Sequence, residues 1–172
     1  MWFFERKFND SEISGNPQNG LVIFCGGLRF WGIPYGRRSV KVGLRDSGYD
    51  GMFIYWPWHE KWTGIFPKPS LPALWDVEVQ ERQACEISAF IKKYRLEYPG
   101  MAVHLMGCSA GGAVAVRVLE KLAETNQRVD SVGLLSVAVW PGRNLVKLAE
   151  KTVDGKLVNF CSAADCLILG LG

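Results

Sequence analysis

Five short, mostly apolar runs, separated by stretches of helical periodicity, constrain this chain more than any other feature. They are Leu21 to Cys25 (LVIFC), Met52 to Trp56 (MFIYW), Met101 to Met106 (MAVHLM), Val132 to Val139 and Leu157 to Cys161. A strand with one wet face alternates apolar and polar residues, whereas a continuous run belongs to a strand buried on both faces. The stretches between them predict helices. One covers Arg37 to Ser47, with Gly48 at the position where a helix turns left-handed to stop. A long one runs from about Leu74 to Tyr98, with Ala84, Ile87, Ile91 and Tyr94 on one face and Pro99-Gly100 after it. A third leaves the turn at Gly107–Gly112 and continues to Leu122, striped by Val114, Val118 and Leu122, and a short one spans about Asn144 to Lys151. Strands joined through helices run parallel, and right-handed crossovers wind them into a doubly wound α/β sheet of about five strands with helices on both faces.

Composition narrows the function classes. A chain of 172 residues is expected to form one domain, 1–172, with a core that needs no disulfide or metal. With 48% hydrophobic and 22% charged residues it has the balance of a globular protein, which excludes disordered and collagen-like classes. No apolar run approaches the roughly 18 residues of a membrane span. The start, MWFFERKFND, has no long apolar segment or small-residue cleavage site, so neither a signal peptide nor a transmembrane helix is expected, and a cytoplasmic location is. The net charge of +3 is weak and interspersed, so no nucleic-acid partner is expected. Cys25, Cys85, Cys108, Cys161 and Cys166 are odd in number and show no C-x-x-C spacing, as for reduced, buried thiols used as small apolar residues in a reducing compartment. No His, Cys and carboxylate cluster has metal-site spacing, so no metal is expected. A nucleotide-binding reading lacks both G-x-G-x-x-G and a P-loop lysine after a strand, and no cofactor is expected.

Chemistry concentrates at Gly107-Cys108-Ser109-Ala110-Gly111, a G-x-S-x-G pentapeptide entered by an apolar strand and left by an amphipathic helix. A sharp strand-to-helix turn strains its central residue and brings the positions two away very close, so Gly107 and Gly111 are the elbow glycines. Such a turn lifts the Ser109 hydroxyl clear of the sheet beside a helix N-terminus that stabilises negative charge. A tight turn that merely packs a helix on a sheet is the plainer alternative.

With GCSAGG as its most specific element, the chain resembles the α/β-hydrolase family from about Leu21 to Asp165. The resemblance implies a serine hydrolase acting on an ester or related acyl bond of a small-molecule substrate, with Ser109 as nucleophile. It implies an oxyanion hole made by the backbone N–H of Ala110 and one from the loop after the first strand, Leu28 or Gly27. The family order of Ser, acid, His makes Asp165, after the fifth strand, the acid.

The order then requires a His beyond Asp165, and none follows up to Gly172. Two histidines exist. His104 lies five residues before Ser109, some 16 Å along the strand, and is read as a sheet-facing residue with a hydrogen bond to find. His59, in the loop after the second strand, shares the carboxyl edge of the sheet with Ser109. The expectation is a chain truncated at its C-terminus before the His. The competing reading is a catalytically incomplete binding or scaffolding protein of the same fold. The aromatic loop from Trp56 to Pro72, with Trp56, Trp58, Trp62 and Phe66, is read as either the wall of an apolar acyl pocket or ordinary packing over a helix.

Overall fold

The computed structural model describes residues 12–27, 29–30, 33–34, 36–58, 76–137 and 142–161. In chain order these form β1 (Ile13–Ser14), β2 (Asn16–Cys25), β3 (Arg29–Phe30), β4 (Ile33–Pro34), α1 (Arg37–Asp46), β5 (Gly51–Trp56), α2 (Val77–Glu97), β6 (Val103–Cys108), α3 (Ala110–Glu124), β7 (Val129–Leu135), α4 (Leu145–Thr152) and β8 (Val153–Phe160). Six strands make one sheet in the order β1-β5-β2-β6-β7-β8, and β3 pairs with β4 apart from it. Every neighbour in the large sheet is parallel except the short edge strand β1, which runs antiparallel to β5. The α/β class with a mostly parallel sheet is thus the fold of this chain. The sixth strand is β1, too short to leave a hydrophobic signature.

The order places β2 between two neighbours reached in opposite directions. The chain leaves β2 through α1 to β5, then crosses back over β2 through α2 to β6 and continues outward to β7 and β8. A reversal of this kind opens a crevice where the two neighbouring connections diverge, here at the carboxyl ends of β2 and β6. Alternate strand residues serve two cores. Leu21, Ile23, Ile54, Trp56, Leu105 and Val132 pack with Ile87, Ile91 and Tyr94 of α2 and with Val114, Val118 and Leu122 of α3. Val22, Phe24, Phe53 and Tyr55 face the other way, with Val40 and Leu44 of α1 against them.

Strand ends differ from the sequence expectation by a few residues, each for a visible reason. The run Val132–Val139 ends as a strand at Leu135: Ser136 still donates its N–H to the Phe160 carbonyl at 2.8 Å, but its positive φ of 46° turns the backbone out of the extended conformation there. Met101–Met106 becomes Val103–Cys108, and Leu157–Cys161 becomes Val153–Phe160, both set by pairing with β7. The long helix starts at Val77, where the Asp76 carboxylate accepts the Val79 N–H at 3.0 Å and caps it. Gly48 stops α1 as expected, with φ of +85° and its N–H on the Arg45 carbonyl.

α2 and α3 lie side by side on one face. Arg117 of α3 pairs with Glu81 and donates to the Gln80 amide oxygen at 3.0 Å, and Lys121 reaches Glu81 at 3.3 Å. At the amino end of the sheet, Asp130 accepts from the Val103 N–H at 2.7 Å and from Arg95 at 3.0 Å, joining β6, β7 and α2. None of the helices among the described residues is long and apolar enough to cross a membrane.

Candidate active site

Ser109 sits between the last residue of β6 and the first of α3, at φ 51° and ψ −125°. That is forbidden ground for most side chains, and holding a non-glycine residue there costs about 1–3 kcal/mol. The strain is held from both sides. The Ser109 N–H donates to the Leu135 carbonyl at 2.9 Å, continuing the β6–β7 ladder one residue past the strand, and the Ser109 carbonyl accepts from Gly112 N–H at 2.9 Å, opening the helix. The serine is partly exposed, while Gly107, Cys108, Ala110 and Gly111 around it are buried. The turn therefore presents its central residue and hides its neighbours, Cys108 included.

The two elbow glycines are needed for different contacts. A Cβ on Gly107 would meet the Gly112 Cα at 2.7 Å and the Ala115 Cβ at 2.9 Å, so the strand end and the first helical turn touch backbone to backbone. A Cβ on Gly111 would collide with the carbonyl oxygens of Cys25 and Gly26. A side chain at Gly111 would thus meet the end of β2, while one at Gly107 would meet the Gly111 carbonyl oxygen at 3.0 Å. Gly112, the second of the doubled glycines, would drive a Cβ into the Val137 side chain. It is a third packing glycine that the five-residue motif does not include.

These contacts bring the β2 loop to the serine. A Cβ built on Gly27 would stand 3.1 Å from the Ser109 Cβ and 3.7 Å from its Oγ. Among the described residues the Gly27 N–H has no hydrogen-bond acceptor, and Ala110, as the first residue of α3, has an N–H with no partner inside its helix. The first turn of α3 carries no acidic residue to offset the positive end of the helix dipole. The Gly27 backbone, the first turn of α3 and the Ser109 hydroxyl thus lie side by side. Leu28, Asp165 and His59 lie outside the described residues, as do Trp62 and Phe66.

His104 takes no part in this cluster. Its ring lies on the face of the sheet near α1, with Nδ1 2.7 Å from Ser131 Oγ on the neighbouring strand and Tyr49 edge-on at 6.3 Å. Burial pushes its pKa below the ordinary histidine value, partly offset by the Asp130 charge. The sheet-facing reading of this residue is the one realised.

The aromatic loop divides. Trp56 is a core residue, 2% exposed, with its ring edge-on to Phe90 at 5.5 Å and its indole N–H on the Gln83 amide oxygen at 2.9 Å. The packing alternative holds for Trp56, and the pocket-wall reading does not. Trp58 is equally buried, and its indole N–H donates to the Gly26 carbonyl at 2.7 Å. Nothing in the sequence marks that bond, because it joins positions 32 residues apart. Among the described residues no group of three or more His, Cys, Asp or Glu is placed to hold a metal ion.

No protein-family model and no curated protein matches the sequence. In structure the chain is similar to a protein of unknown function from Agrobacterium tumefaciens, at 15% identity and a TM-score of 0.55, over 98% of this chain and 95% of that one. This likeness shows a shared fold. A looser one, at 24% identity and a TM-score of 0.44, is to the monoacylglycerol lipase of Paleococcus ferrophilus, over 80% of this chain. The matched region spans 48% of that lipase, and an overlay so loose says nothing of activity.

Proposed function

We propose that the chain is a serine hydrolase of the α/β-hydrolase type that cleaves an ester or related acyl bond, with Ser109 as its nucleophile. The observation that carries the reading is the backbone of Ser109: a non-glycine residue at φ 51° and ψ −125°, partly exposed, at the topological switch point of a parallel sheet. A turn that only packed a helix on a sheet would relax this strain by carrying glycine there. Strain kept at a polar residue in a crevice is the mark of a site.

In this reading the Ser109 Oγ attacks the acyl carbon as its proton passes to a base, and the carbonyl π pair moves onto oxygen. The Gly27 and Ala110 N–H groups, with the α3 terminus behind them, stabilise that oxyanion. Collapse expels the alcohol, protonated by the conjugate acid of the base, and water then releases the acyl group by the same steps in reverse. Leu28 is the alternative first donor. Asp165 is assigned as the acid that orients the base, on the order of residues that the family resemblance implies. The base is an imidazole after Asp165 in that order, and within this chain His59 is the candidate.

A fluorophosphonate probe tests the reading directly. Labelling of Ser109, located by peptide mass and lost in Ser109→Ala, is the expected result. A well-folded chain that takes no label would refute the nucleophile and leave the binding-protein reading of the same fold.

A further inference from the structure

We infer that Trp58 is a positioning residue for the oxyanion hole: by holding the Gly26 carbonyl, its indole N–H aims the Gly27 N–H at the substrate oxygen. This rests on Ser109 being the nucleophile. The Gly26 carbonyl and the Gly27 N–H belong to one peptide unit, planar and trans, so the two groups point in opposite directions. Fixing one fixes the other. The Gly26 carbonyl is fixed at 2.7 Å by a donor that is itself 1% exposed and wedged in the core. Its peptide N–H is therefore turned away from Trp58, on a loop whose next atoms lie against Ser109.

The need for such an anchor is physical. A Gly-Gly unit has the widest conformational range of any dipeptide, and a hole that reorganises as charge develops loses most of its advantage. On one side Gly111 packs beneath the Cys25 and Gly26 carbonyl oxygens, closing off the direction of α3. On the other, Trp58 reaches back across the end of β2 from β5, its own N–H donating to the Trp56 carbonyl at 3.0 Å in a tight turn around Pro57. The loop is thus packed between an elbow glycine and an indole, and the indole's contact is a directed hydrogen bond.

Trp58→Phe keeps an aromatic ring in the core and removes the donor. With p-nitrophenyl acetate as substrate, we expect kcat to fall roughly tenfold or more with KM little changed, because an oxyanion donor acts in the transition state and not on the bound ester. Fluorophosphonate labelling should still reach Ser109, at a rate reduced by a similar factor. Unchanged kcat and labelling rate in a folded Trp58→Phe would overturn the inference while leaving Ser109 as nucleophile. An unlabelled wild-type chain would overturn both. Should Trp58→Phe fold poorly, Trp58→Ala with added indole or indene asks the same question. Indole should restore the rate and indene, the same shape without an N–H, should not; equal restoration by both would sink the proposal.

Discussion

At the scale of single residues, Ser109 and His104 show how position on a strand decides what a polar group can do. Ser109 is held off the favoured backbone regions by neighbours on both sides, and the cost falls on the stability of the whole chain. Glycine tolerates that conformation, though it gives back about 0.5–1 kcal/mol through a freer unfolded state. Ser109→Gly is therefore expected to be more stable than Ser109→Ala by about 1 kcal/mol, read as a shift in urea midpoint at constant slope. Equal midpoints would mean that the turn is unstrained. His104 is polar in a different sense: burial favours its neutral form, so its folded pKa lies below the unfolded value near 6.5. The unfolded chain then binds more protons as pH falls through that value, and stability present above pH 6.5 is lost on acidification. Plotted against pH from neutrality downward, the stability of His104→Gln should fall less steeply than that of the wild type. Parallel curves would show that the Ser131 pair is indifferent to the charge.

At the scale of elements, the proposed site is a contact between the first turn of α3 and the end of β2. Gly111 sets its distance. Gly111→Ala puts a methyl into two backbone carbonyls that no side-chain rotation can move, so α3 must withdraw from Gly26. The expected loss is about 1–3 kcal/mol, the usual cost of overpacking, together with slower fluorophosphonate labelling as Gly27 and Ser109 separate. A stable variant labelled at the wild-type rate would contradict the packing described for this junction. The two helix caps illustrate what is readable locally. Asp76 before α2 and Asn144 before α4 both accept a backbone N–H three residues on, at 3.0 Å in each case. The α4 boundary was within reach of the sequence, since a capping residue and its helix are adjacent. The α2 start lies three residues beyond the Leu74 expected from periodicity, because Leu74 and Trp75 extend the apolar pattern upstream of Asp76.

For the whole molecule, the reversal in strand order is what makes the crevice. β5 and β6 flank β2 and are reached over opposite faces of the sheet, so the segments leaving β2 and β6 part at their carboxyl ends and leave room for Gly27 beside Ser109. Apolar continuity in the five runs implied strands buried on two faces and hence helices between them, because a run without alternation has no side to turn to water; Leu21–Cys25 and Met52–Trp56 are buried so, whereas β8, at the edge of the sheet, leaves Val158 and Phe160 exposed. It did not reveal β1, whose two residues carry no period, nor the end of β7, where the apolar run passes through a residue of positive φ.

Local chemistry is what the sequence determined alone: the strand–turn–helix at Ser109, the small residues it demands, and the parallel class of the sheet all follow from neighbours within a few positions. The tertiary structure decided the rest. That Gly111 packs against the end of β2, that Trp56 belongs to the core, and that Trp58 grips the Gly26 carbonyl are contacts between segments far apart in the chain. Periodicity records which face of an element is buried but not which element buries it. The partner is chosen only when the strands take their order and the backbone carbonyls, identical in every residue, acquire specific neighbours.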